Sequence, residues 1–235
     1  MAENRRTFTI VVLAAVLAVV LIMGIQIVLQ IAGRPPHSTG DTIYFGGHNW
    51  RVIGVDTANR RTLLLSENVL EQATFHTTGA YLISWEESAM RYYLNNEFFY
   101  NTFTEEERNQ IAHVMLSNNA NPWFYTPGGN STYDRIFLLS IDEVAQYMGD
   151  SRRLANRDSD IDGVSGTRIF SDRHNHERIA TSETGHAAGW MLRSPGRASG
   201  RGYVATVNAS GHIVLDGIFV AGTGGGVRPA FWLYY

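Results

Sequence analysis

Asp158, Asp160 and Asp162 alternate ahead of Gly163 in the stretch DSDIDG, the spacing that opens a calcium-binding loop. Alternation lets three carboxylates turn towards one cation, and the glycine permits the bend. The twelfth position of such a loop, where a bidentate glutamate closes the site, is Ile169. Calcium would need ligands from elsewhere in the chain, and a plain acidic turn is the equal alternative. HNHE supplies His174, His176 and Glu177, with His186 farther along, which are ligand types for iron or zinc. The polar, charged surroundings of that stretch read more simply as a solvated loop. Residues 117–134 combine Trp123, Phe124, Tyr125, Asn130 and Tyr133, rings and amides of the kind that hold sugars or anchor protein partners. The alternative is a loop whose rings pack back onto the core. Loss of binding in Trp123→Ala would favour recognition there, and loss of turnover in His176→Ala would favour chemistry.

Other chemistry is excluded by what the sequence lacks. Without cysteine there is no thiol nucleophile, disulfide or thiolate metal site. Neither a Gly-x-Ser-x-Gly elbow nor a phosphate-binding loop occurs; GTGGG, residues 222–226, precedes a strand, lacks lysine and reads as a flexible turn. Glu86, Glu87 and Glu105 to Glu107 fall where helices begin, and the helix dipole explains them without a catalytic pair. All 19 basic residues are arginine, but acids are interspersed and the formal charge is -3, which argues against a nucleic-acid partner.

These residues need an address and a frame. Residues 8–32 form an apolar run that as a helix extends roughly 37 Å, enough to span a bilayer. Arg5 and Arg6 before the run and Arg34 alone after it place the amino terminus in the cytoplasm by the positive-inside rule. The expected organisation is a cytoplasmic tail (1–7), a transmembrane helix (8–32), a linker rich in Pro, Gly and Ser (33–40) and one extracellular domain (41–235).

Within that domain TIYFGG, NWRVIGVD and TLLLSE read as a meander of strands. Three Ser/Thr-x-x-Glu boxes then predict helix starts at Ser84, Thr104 and Ser140. The second helix is expected to run through RNQIAHVML; the third, VAQYM, is fed by a strand RIFLLS and stopped by Gly149. WMLRS, GYVATVN, HIVLD, GIFVAG and VRPAFWLYY return to strand character, so the fold class is α+β. The apolar ending FWLYY is expected to pair with the first strand and close the sheet.

The order IYFGGHNWRVIGV, LLLSENVL, SWEESAMRYYLNNEFF, FTEEERNQI, DRIFLLSIDEV, GWMLRSPG and GVRPAFWL resembles a family of uncharacterised bacterial domains on secreted and membrane-anchored proteins. Those domains are similar in turn to the C-type lectin-like fold in its formylglycine-generating-enzyme branch. The resemblance implies a twisted antiparallel sheet that holds both chain ends, flanking helices and long loops. It also implies scaffold roles for Trp50, Arg193 and Arg228. The oxidase activity of that branch needs cysteines and does not carry over; the Glu-Pro-Asn and Gln-Pro-Asp tripeptides of calcium-dependent lectins are absent as well. The expectation is a binding module for a protein or cell-wall glycan, met by the loops at 117–134 and 150–188, with no cofactor unless calcium sits at the aspartates. The alternatives are a metal-dependent hydrolase or other cell-envelope enzyme centred near His174 and Asp158, and a structural assembly component of a membrane complex.

Overall fold

The structure, a computed structural model, describes residues 17, 19–23, 35–79, 81–156 and 159–235. It comprises two compact units, Met1–Pro36 and His37–Tyr235. In the first, the described residues 17 and 19–23 are helical. The predicted membrane span lies mostly outside the described residues, among which no helix is long and apolar enough to cross a bilayer.

The second unit carries the strands β1 (Thr42–Phe45), β2 (His48–Asp56), β3 (Arg61–Ser66), β4 (Glu71–Ala73), β5 (Val114–Leu116), β6 (Thr132–Asp134), β7 (Asp160–Ile161) and β8 (Arg168–Phe170). They are followed by β9 (Ala180–Thr181), β10 (Ala187–Ala188), β11 (Trp190–Pro195), β12 (Tyr203–Val207), β13 (Ile213–Phe219), β14 (Gly225–Val227) and β15 (Ala230–Tyr234). Every ladder is antiparallel and no sheet closes into a barrel. The two larger sheets have the orders β1-β2-β3-β15 and β11-β12-β13-β8-β7, and β10-β9, β14-β4 and β5-β6 form two-stranded sheets.

The first three strands are the expected meander. Gly46 and Gly47, both at positive φ, make the tight turn between β1 and β2. Thr62 to Ser66 of β3 are all buried, because β3 is central in its sheet and covered on both faces, so it reads as a continuous apolar run. Each fully buried leucine there contributes about 1.5–3 kcal/mol. The ending FWLYY does join this sheet, but its neighbour is β3, with Ala230 opposite Leu65 and Tyr234 opposite Arg61. Consecutive hairpins leave β1 on the far edge, so the expected pairing of first and last strands does not form.

RIFLLS is extended without being a regular strand. Phe137 exchanges hydrogen bonds with Ala230 (2.9 and 2.7 Å), and the Leu139 carbonyl accepts the Arg193 N–H at 2.9 Å. The segment therefore bridges the two sheets, which explains why Ile136 to Leu139 are fully buried.

Helices flank this frame: α1 (Ala89–Tyr93) runs through a π turn (Leu94–Phe98) into α2 (Phe99–Thr102), followed by α3 (Glu105–Gln110), α4 (Ile141–Met148), α5 (Arg153–Asn156) and α6 (Asn175–Arg178). The capping boxes at Thr104 and Ser140 form in full, and Gly149 at φ +81° ends α4. The box at Ser84 does not: Ser84 Oγ meets the Glu87 carboxylate, and the cap of α1 is Ser88, whose Oγ accepts the Arg91 N–H at 3.0 Å. Buried Trp85 holds the intervening turn, its carbonyl accepting the Ser88 N–H and its indole N–H donating to Asp134 at 2.9 Å. The predicted RNQIAHVML helix stops at Gln110. Ala112 donates to the Trp232 carbonyl at 2.8 Å, and beyond it burial alternates as a strand requires.

Candidate functional site

Arg193 is a strut between elements. Its guanidinium makes a bidentate pair with the Glu143 carboxylate and donates to the Leu138 carbonyl (2.9 Å), the Ser117 carbonyl (3.2 Å) and Asn118 Oδ1 (3.1 Å). Glu143 simultaneously caps α4 through the Ser140 N–H at 2.9 Å. Trp50 is equally internal: it is fully buried, its indole N–H donates to the Phe45 carbonyl at 2.8 Å, and its ring meets Phe231 edge-on at 4.6 Å. Arg228 differs. It is fully buried, donates to the Ser66 carbonyl (2.9 Å) and the Glu67 carbonyl (3.3 Å), and lies 5.0 Å over the Trp190 ring. No carboxylate pairs with it among the described residues, and its Nη1 has no hydrogen bond. Burial above all, and then Arg51 nearby, push its pKa down to about 9, with Glu67 opposing.

The aromatic segment divides. Arg168 lies 4.1 Å over the Trp123 ring, and Trp123 and Phe124 pack against the core. Buried Asn121 fixes this fold-back: its Oδ1 accepts the N–H groups of Trp123 and Phe124, and its Nδ2 donates to the carbonyls of Pro195 and Leu215. Tyr125 is exposed; Asn130 donates to Glu86 at 3.0 Å; Tyr133 is exposed on β6, its ring 5.6 Å from that of His113. None of the five lines the cavities described below.

Asp158 lies outside the described residues. Asp160 pairs with Arg153 at 3.0 Å, and Asp162 closes the β7–β8 turn by accepting the Val164 (2.7 Å) and Ser165 (2.9 Å) N–H groups. Those backbone bonds hold the Asp162 carboxyl below its ordinary pKa. His176 contacts Glu177 at 3.0 Å on the surface, while the His174 ring packs under Gly149. Among the described residues no group of three His, Asp or Glu side chains is placed to hold a metal ion.

Three internal polar anchors were not singled out in the sequence. Asp134 accepts from Trp85, from Thr132 Oγ1 (2.6 Å) and from Arg91 Nε (2.6 Å). Arg178, fully buried, pairs with Asp172 at 3.0 Å and donates to the Gly149 carbonyl. Asn121 is the third. Each combines nearby partners with distant ones, Trp85 and Arg91 for Asp134, Gly149 for Arg178, Pro195 and Leu215 for Asn121, and no local motif marks the distant set.

Concave space is better developed elsewhere. A cleft of about 410 Å³ opens beside β10, between the β12–β13 end and the glycine run before β14. Gln72, Ser182, His186, Thr206 and Asn208 supply its polar groups, and Ala187, Ala188, Gly189 and Gly224 to Gly226 bring main chain to its wall. Trp190, almost wholly buried, contributes to the floor. Among the described residues no aspartate, glutamate or arginine lines it. Two other cavities of about 380 and 440 Å³ each contain arginine and glutamate. The glycine run, expected to be a flexible turn, is in part strand: β14 pairs with β4. A Cβ at Gly225 would enter the Met191 side chain and one at Gly226 would strike the Gly189 carbonyl, so both glycines let β14 lie against β11. At Gly224 a Cβ would meet nothing within 4 Å, and the backbone is not left-handed. Neither packing nor backbone conformation asks for glycine there.

The domain of unknown function family DUF6273 matches residues 59–235. The chain belongs to that family. The match begins inside the turn before β3, so β1 and β2, members of the same sheet as β3 and β15, precede the matched segment. No curated protein and no solved structure matches the chain.

Proposed function

We propose that the protein is a membrane-anchored extracellular binding module whose ligand, a protein or a cell-wall glycan, is held in the cleft beside His186. The observation that carries this reading is the lining of the cleft. It offers amides, hydroxyls, an imidazole and main-chain groups, but among the described residues it lacks the two carboxylates of a glycosidase, and the Ser182 hydroxyl bonds to Thr184 and to the His186 carbonyl, not to the imidazole. Such a lining supports recognition of a ligand more than chemistry on it. The apolar run at 8–32 supports the anchor. A C-type lectin-like fold is supported by the sheet that holds both the opening meander and the closing strand, with helices and long connections beside it.

Gly224 supplies the test. In Gly224→Trp the first side-chain atom enters open space at the cleft, and the indole beyond it is expected to obstruct the cleft. Full-length protein in detergent, presented with cell-wall polysaccharide and with cell-surface protein fractions, is expected to bind one of them and to lose at least ten-fold in affinity with Gly224→Trp. Trp123→Ala is expected to leave binding in place, since Trp123 is committed to Arg168 and the core. Equal binding by wild type and Gly224→Trp would place the ligand elsewhere.

A further inference from the structure

The cleft has a strand edge in its wall. In the β9–β10 ladder Ala187 stands opposite Thr181, and the neighbouring residues Ser182 and His186 are joined by the Ser182 N–H to the His186 carbonyl at 2.8 Å. Hydrogen-bonded and non-hydrogen-bonded pairs alternate along an antiparallel ladder, so Thr181 and Ala187 form a non-hydrogen-bonded pair. Thr181 confirms the geometry, because its carbonyl turns away from β10 to accept the Val69 N–H at 2.9 Å. The Ala187 N–H and C=O must then turn away from β9. β10 has no second neighbour in its sheet, and Ala187 is exposed and lines the cleft.

We infer that the cleft receives an uncharged, extended peptide segment of a partner protein, added as a strand to the outer edge of β10. This rests on reading the cleft as the ligand site and names the ligand's class. Two observations select that occupant. The Ala187 main chain presents one donor and one acceptor in strand geometry, the pairing that an extended peptide completes. Around it stand alanine and glycine, which let a second backbone approach closely. Charge makes the match: in a chain with 41 formally charged residues, none of the described arginines, aspartates or glutamates lines this cleft, so a charged side chain entering it would be desolvated without an opposite partner among them.

The test uses the full-length protein in detergent and three probes. The first is an array of uncharged decapeptides composed of Ala, Val, Ile, Ser, Thr, Asn and Gly. The second is the same array with every alternate amide N-methylated, and the third a set of neutral N-acetylglucosamine oligomers. Binding to members of the first array is expected, with at least a ten-fold loss on N-methylation. The same loss is expected in Gly224→Trp and in Ala187→Pro, which deletes the outward N–H at an edge position that tolerates proline. Thermal unfolding of both variants checks that they fold. If oligosaccharides bind, peptides do not, and Gly224→Trp abolishes the binding, the cleft remains the ligand site and the peptide inference is overturned. Failure of the whole first array to bind, or binding indifferent to N-methylation, also overturns it. Binding indifferent to Gly224→Trp overturns both readings.

Discussion

The seam around Arg193 and the cleft beside His186 are both polar, yet their polar groups are spent differently. At the seam each guanidinium nitrogen has an acceptor, and its carboxylate partner also caps a helix. In the cleft, the Gln72 amide bonds to no described residue, one edge of β10 is unpaired, and Gly224 has open space where a neighbour would be. Residues that the fold needs are satisfied within the fold. Residues whose presence the fold does not explain collect at the cleft, and that contrast, more than residue type, separates scaffold from site. Arg228 stands between the two, buried like the seam but incompletely bonded.

Several substitutions can break or sharpen this contrast. The largest loss is expected from Arg193→Met, which strands the Glu143 carboxylate and three other acceptors and should lower unfolding free energy by about 3–5 kcal/mol in urea titration. Next comes Gly217→Ala: Gly217 sits at φ +77° in the bulged β12–β13 ladder, where a Cβ would strike the Val204 carbonyl, for a loss of about 2 kcal/mol. Arg228→Met should cost less than the same change at Arg193, about 1 kcal/mol, because only backbone carbonyls lose a donor. Its pH dependence is distinctive. With the folded pKa pushed down to about 9, the unfolded chain holds that proton more tightly. Wild type should therefore gain stability relative to Arg228→Met as pH rises through about 9. A loss at Arg228 as large as at Arg193 would erase the distinction between them. Smallest of all, Gln72→Ala and addition of chelator should each leave stability within about 0.5 kcal/mol, the first because the amide is unbonded, the second because Asp160 and Asp162 already have protein partners.

The legible parts of the fold were those written locally. The boxes at Thr104 and Ser140 and the β1–β3 meander depend on residues within a few positions of one another. The Ser84 box failed because a buried tryptophan, bonded to Asp134 across 49 positions, decides where α1 starts. The true cap at Thr104 predicts helix through IAHVML, whose alternation of buried and exposed residues is that of a strand once β15 holds Ile111 and Ala112 and β6 pairs with β5. At the site the scaffold role of Arg193 was readable because GWMLRSPG belongs to a recognisable order of motifs. The cleft was not, since its wall comes from residues 72, 182, 186–190, 206–209, 218 and 224–226 and works through main chain and missing side chains. GHAAG and GTGGG, two runs of small residues, were the available signal.

Trp190 lies beneath that cleft with its ring against Arg228 and its indole N–H on the Arg178 carbonyl at 3.0 Å. It is thus almost wholly shielded from water, next to a cation, and part of the floor on which an occupant would rest. An indole so placed is a built-in optical gauge: arrival of a ligand alters the polarity and field around the ring. The resulting change in tryptophan emission, absent in Trp190→Phe, would report occupancy without any label attached to the protein.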